Sequence, residues 1–305
     1  MLRTMILLIG VAFAQVGTSS AQARWDATQQ AYFLPVHNDS GVLVEVKLVP
    51  ANLVRGGLTT TVESLTAGRW LYKYSFGVDG QSPQGLGSAR VPCPAQGSTE
   101  TRGYRSDAAG TFADVFAEVR QMVHGPRVCE FLTNLGSGQS GQGRVESSYL
   151  PGLTQIVLVG SGGLDRWPTA DATVETASYH PFVDSILGYT PNGLALRVPG
   201  IAPMVAPPAQ GDAGASATAL SDQVTAVCDR TDWVSPKGIC QSLTTKVRQV
   251  QSAIARQNWT AARGALGALA QELGAQDGRH VAPDAVALIS IWIGRVWSDL
   301  PAGTR

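Results

Sequence analysis

The hydrophobic period of this 305-residue chain changes once, and that change bounds what it can fold into. Up to about residue 198, apolar residues alternate with polar ones, the pattern of strands with one buried face. Beyond about residue 217 they recur every three or four residues, the pattern of helices packed along one side. The expected fold class is therefore multidomain β + α: an N-terminal antiparallel β-sandwich-like domain over 24–198, a linker over 199–217, and a small helical bundle over 218–305. The linker is inferred from the text PGIAPMVAPPAQGDAGASA, rich in Pro, Ala and Gly with a single charge, a composition poorly suited to a core.

Within the β-rich part, Val42, Val44, Val46 and Leu48 share one parity while Glu45 and Lys47 take the other. Leu58 to Val62 is rich in threonine, as strands often are. Trp70, Tyr72, Tyr74 and Phe76 fall on one face, opposite Lys73 and Ser75. Such an aromatic stripe serves most often as the inner face of a sandwich; turned outward it would be a carbohydrate platform, which makes Trp70, Tyr72 and Tyr74 the binding candidates. Thr154 to Val159 and Ala172 to Ala177 read as further strands. Over Phe112 to Val123, the positions Phe112, Val115, Phe116, Val119 and Met122 fit helical spacing and predict a helix. Frequent Gly and Pro between these runs suit an antiparallel sandwich better than a βαβ array.

The chain opens MLRTMILLIGVAFAQVGTSSAQA, with Arg3 as a basic n-region, an uncharged apolar run from Met5 to Ala14, and the small-x-small pattern Ala21-Gln22-Ala23. This reads as a signal peptide over 1–23, cut before Arg24, and places the mature protein in the periplasm, at the cell surface or outside. The apolar run is well short of the roughly 18 to 20 residues of a spanning helix, as is Val286 to Trp297, so no transmembrane segment is expected after cleavage. Cleavage removes only Arg3 from 23 basic residues, against 23 acidic ones, and near neutrality argues against a nucleic-acid partner. Four cysteines, Cys93, Cys129, Cys228 and Cys240, suit disulfides in an exported chain. Three connectivities exist; proximity favours Cys228 with Cys240 and Cys93 with Cys129.

Several motifs fail on their surroundings. Gly136-Ser137-Gly138-Gln139-Ser140-Gly141 matches GxGxxG, but no apolar helical stripe follows to bring helix amides to a pyrophosphate. The run IVLVGSGGLDRWP from Ile156 has Asp165 in place of a third glycine and Pro168 against any helix. Neither GxSxG nor HExxH occurs. His37 with Asp39, or His180 with Asp184, is the nearest approach to an acid/base pair, and His124 and His280 stand apart. The cysteine spacing, twelve residues apart without an adjacent His, is wrong for zinc, so neither metal nor cofactor is expected. The sequons at Asn38 and Asn258 read as incidental, the second because it falls at a helix cap.

The stretch TDWVSPKGICQSL (231–243) reads as a helix entrance, with Ser235 as cap and Pro236 in the first position. Ile239, Leu243, Val247, Val250 and Ile254 then form one stripe. A second helix starts at Asn258 and carries Ala262, Leu266, Leu269 and Leu273; a third starts at Pro283 and Asp284; a short leading helix spans about 219–227. Residues 220–297 resemble the helical FIMAH-type domain of exported bacterial proteins. The resemblance is carried by Lys237-Gly238-Ile239 before Ser242-Leu243, by Asn258 with Ala261-Ala262, by Leu266 through Leu269, and by the Asp277-Gly278-Arg279-His280-Val281 turn. It departs at Leu269 and Trp292. It implies an envelope or extracellular setting and no particular reaction. The sequence thus points to an exported, non-enzymatic binding or attachment protein whose partner is a glycan or an envelope protein. The alternative is an exported hydrolase of polysaccharide or protein, with the bundle as an accessory.

Overall fold

A computed structural model describes residues 24–29, 31–37, 42–48, 53–93, 101–106, 112–115, 117–121, 127–160 and 196–301. The candidate strand at 172–177, the leader over 1–23, and Asp39, His124, His180 and Asp184 lie outside them. The described residues divide between two compact units, one holding those up to Leu48 and the other those from Leu53 onward.

In the first unit β1 (Arg24–Asp26), β2 (Ala31–His37) and β3 (Leu43–Leu48) form an antiparallel meander. Asp26 shapes its first turn by accepting hydrogen bonds from the amides of Thr28 and Gln29, at 2.9 and 3.0 Å.

The second unit holds two antiparallel five-stranded sheets followed by four helices. One sheet has the order β4 (Gly56–Ser64), β5 (Trp70–Val78), β11 (Ser140–Ser147), β7 (Thr101–Ser106), β8 (Phe112–Val115). The other runs β13 (Leu196–Val205), β12 (Leu150–Gly160), β6 (Leu86–Pro92), β10 (Arg127–Leu135), β9 (Ala117–Gln121). Phe131 of β10 reaches across to Tyr74 and Phe76 of β5, with ring centroids 5.8 Å apart in each case. Gly143 of β11 makes room for it: a Cβ there would stand 2.7 Å from the Phe131 ring. The helix expected over Phe112–Val123 is instead β8 and β9, in different sheets. Its apolar residues also fit alternation in part, and pairing with β7 and β10 selects the extended form over local periodicity.

The helices are α1 (Ala213–Arg230), α2 (Lys237–Ala255), α3 (Trp259–Gln276) and α4 (Pro283–Asp299). Asn258 caps α3 as expected, accepting from the Ala261 amide at 3.0 Å, and Pro283 opens α4. The cap of α2 differs: Pro236 holds that position without a side-chain hydrogen bond, and Ser235 donates its amide to the His280 carbonyl instead. The leading helix is longer than its apolar stripe, because Asp212 caps it early by accepting from the Ala215 amide at 2.8 Å.

The expected linker is largely ordered structure. Residues 199–205 form the greater part of β13, and 213–217 the start of α1. Proline is tolerated because β13 is an edge strand and its prolines fall on a single parity. Pro199 and Pro203 oppose Gln155 and Pro151, the same set of positions as Leu153, whose amide turns away from β13 toward Gln223. Gly200 is needed there because a Cβ would run into Ile156.

Sandwich and bundle share one apolar core, running from Tyr72, Phe131 and Ile156 to Leu220, Leu266 and Trp292. The helices also finish the sheets. Among the described residues, β6 pairs only with Val157–Gly160 of β12, and no strand pairs with the start of β12 on that side. There the Trp292 indole donates to the Pro151 carbonyl at 2.9 Å, and Gln223 accepts from the Leu153 amide at 2.9 Å. On the edge strand β4, the Thr60 amide acts on Asp284 of α4 and favours its charged form. Two helix side chains, Trp292 and Gln223, thus satisfy backbone groups that an open sheet edge would expose.

Both disulfides are those favoured by proximity. Cys93–Cys129 joins the neighbouring strands β6 and β10 in the core, and Cys228–Cys240 ties α1 to α2. In the chain-entropy picture they are worth about 4 and 3 kcal/mol respectively.

Burial raises the pKa of Asp284, and the Thr60 amide only partly opposes this. The folded chain therefore holds that proton to higher pH than the unfolded chain, and the associated stability is lost as pH rises through the raised value. Melting temperatures of the parent and of Asp284→Asn, followed from about pH 3 to 7, should coincide at the acid end and diverge upward in favour of the variant. A constant gap across that range would contradict the assignment.

Candidate functional site

The aromatic stripe proposed as a binding platform faces inward. Tyr72 and Tyr74 are 0% exposed, Phe76 is buried with them, and Trp70 is half-buried against the same core. The correction follows from parity: one face of β5 must meet the opposite sheet, and the face able to bury the most apolar area does so. The Tyr72 hydroxyl donates to the Tyr149 carbonyl at 2.6 Å, whereas the Tyr74 hydroxyl makes no hydrogen bond among the described residues. Burial pushes both phenols far above their ordinary range, and for Tyr74 the neighbouring Tyr72 adds to it. The hydrolase reading loses its aromatic support with this face.

Apart from Leu71 and the glycines, what the same strands turn outward is polar. On β4 these are Thr59, Thr61 and Glu63, on β5 Lys73 and Ser75, and on β11 Gln142, Arg144 and Glu146, all exposed or half-exposed. Register sets them in rows across the sheet: Thr59, Ser75 and Gln142 in one, Thr61, Lys73 and Arg144 in the next. Lys73 reaches diagonally to Glu63 at 2.5 Å, and Arg69 pairs with Glu146 at 2.9 Å. This face offers many hydrogen-bonding groups on a rigid, twisted surface, the chemistry of a polar-ligand platform. The signal was present in the sequence, in the Lys73 and Ser75 positions opposite the stripe, but alternation alone does not say which face is outward.

Other charged clusters serve the fold. Asp299, 4% exposed, accepts from the Gly211 amide at 3.0 Å and the Ser216 hydroxyl at 2.6 Å. Arg295 Nε also approaches it at 2.8 Å, an ion pair whose angle falls short of a hydrogen bond. Glu130, buried on β10, takes Ser88 and Arg90 on one oxygen, each at 2.8 Å. Glu272 feels some desolvation, but Lys246 and Ser242 outweigh it and hold its carboxyl below the usual range, linking α2 to α3. Among the described residues, no group of three or more His, Cys, Asp or Glu could hold a metal ion. The GxGxxG match is the turn that carries the chain from β10 in one sheet to β11 in the other, where Gly138 takes a positive φ of 75° and the Gly136 amide donates to the Gln139 side chain. His280 sits exposed in the α3–α4 turn.

No protein-family model and no curated protein matches this chain. Among solved structures, it shows similarity to a DUF4466 family protein from Parabacteroides merdae ATCC 43184, at 13% identity and a TM-score of 0.23. The match covers 37% of this chain and 42% of that one, so it spans less than half of that protein. Two disulfides suit an oxidising compartment, and no described helix is long and apolar enough to cross a membrane.

If the tyrosines are core rather than platform, their hydroxyls should differ in stability and not in binding. Tyr72→Phe should cost about 1–3 kcal/mol, because it strands the Tyr149 carbonyl, while Tyr74→Phe should be neutral or stabilising, because it removes an unbonded buried hydroxyl. Urea midpoints of the two variants check this; equal losses would contradict it.

Proposed function

We propose that the mature chain, residues 24–305, is an exported, non-enzymatic binding or attachment protein of the bacterial envelope or exterior. The polar outer face of β4, β5 and β11 is its contact surface. The observation that carries this reading is the division of labour in the second unit: the aromatic face is spent on the core, the bundle closes the sheet edges, and a three-stranded polar face remains presented. Support comes also from the leader-like residues 1–23, the two disulfides and the resemblance of 220–297 to FIMAH-type domains, which accompany exported proteins. On this reading the bundle closes the sandwich and positions the face rather than acting as a free-standing module.

Because bundle and sandwich share a core, the test uses the whole mature chain. It is screened against arrayed glycans and envelope components, beside a double variant Ser75→Trp/Gln142→Trp that places bulk on the outer face. Selective retention of a component by the parent, lost in the variant at unchanged melting temperature, is the expected result. Retention of nothing, or cleavage of an arrayed glycan or protein, would overturn the reading, and cleavage would favour the exported hydrolase.

A further inference from the structure

Two glycines of the outer face are not required by the fold. Gly57 of β4 and Gly77 of β5 stand directly opposite each other in the register, on the outward parity of Thr59 and Ser75, and Ser140 of β11 continues their row. Neither takes a positive φ, and a Cβ added at either would meet nothing within 4 Å among the described residues. Gly56 and Gly143 differ, since a Cβ there would strike the Gly77 carbonyl and the Phe131 ring. Glycine inside a strand weakens it, and it recurs where a ligand comes close to the backbone. The adjoining row, Thr59, Ser75 and Gln142, is exposed and uncharged, and none of these side chains makes a hydrogen bond among the described residues.

The two rows lie two residues, or about 7 Å, apart along the strands, and neighbouring strands stand about 4.8 Å apart. Bare peptide planes on β4 and β5 thus sit beside hydroxyl and amide groups that both donate and accept. Beyond these rows Lys73 is held by Glu63 and Arg69 by Glu146, so the rows themselves offer a charged ligand no matching charge. They offer a protein partner no aromatic or apolar anchor. A sugar ring suits both rows: its flat C–H face can rest on exposed backbone while its rim hydroxyls reach polar side chains. Resting on the binding reading above, we infer that the ligand of this face is a neutral glycan, one of whose sugar rings lies over Gly57 and Gly77 with its hydroxyls toward Thr59, Ser75 and Gln142.

Titration calorimetry of the mature chain tests this with cellohexaose, chitohexaose and mannohexaose as neutral probes, beside hexagalacturonate and the chitosan hexamer as charged ones. At least one neutral hexamer should bind, with an affinity unchanged when salt rises from about 0.05 to 0.5 M, because there is no charge to screen. Gly57→Ala/Gly77→Ala should keep or raise the melting temperature, since alanine enters open space at an ordinary φ. The same variant should weaken binding by about tenfold or more, because its methyl groups lift the ring off the backbone. Glycines that served folding alone would give the reverse, a lowered melting temperature with binding intact. Unchanged binding by the variant, salt-sensitive binding, tighter binding of a charged hexamer, or no binding of any neutral hexamer would each overturn the inference. In those cases the binding reading stands if the array still shows a component lost in Ser75→Trp/Gln142→Trp. It falls with the inference if the array retains nothing.

Discussion

The start of β12 needs partners that β6 does not supply, and helices supply them. A backbone carbonyl and amide left dry at Pro151 and Leu153 would each cost about 1–3 kcal/mol. The buried indole of Trp292 and the side chain of Gln223 remove that cost, and in doing so fix where α1 and α4 lie on the sheet. At the start of α4, Asp284 lies within the influence of the Thr60 amide on the edge strand β4. Much else follows from this docking: the shared core, the early start of α1 at Asp212, and the ties from Asp299 and Arg295 back to Ser216, Gly211 and Pro208.

Functional geometry is a by-product of that closure. With Tyr72, Tyr74 and Phe76 packed against Phe131 and the bundle set over the strand edges, the outer surface of β4, β5 and β11 is held by backbone pairing and by the Lys73–Glu63 and Arg69–Glu146 ion pairs, and stays presented. Side chains on paired strands have spacings set by the ladder, so a row such as Thr59, Ser75 and Gln142 keeps its order across the face.

The class of fold was legible because period is a property of neighbours in sequence: alternation along β5 and the four-three-four rhythm of α2 and α3 need no tertiary information. The cap at Asn258 and the helix start at Pro283 were legible for the same reason. What could not be read depended on partners far along the chain. Prolines 199 and 203 look like linker until β12 takes the other side of their strand, and 112–121 looks helical until β7 and β10 claim its halves. Facing is the third case. Lys73 and Ser75 were visible opposite the aromatics, yet only contact with the second sheet decides that the aromatics turn in and the polar residues out.

The central claim is that bundle and sandwich form one cooperative body through the Trp292 and Gln223 contacts. Native-state hydrogen exchange across a denaturant series, read by mass spectrometry on peptides from β5, β10, α2 and α3, tests it most directly. The account predicts that the helices and the central strands lose protection together, with the same free energy and the same denaturant dependence. Loss of protection in α2 and α3 at clearly lower denaturant, with β5 and β10 still protected, would show a separable module and contradict it.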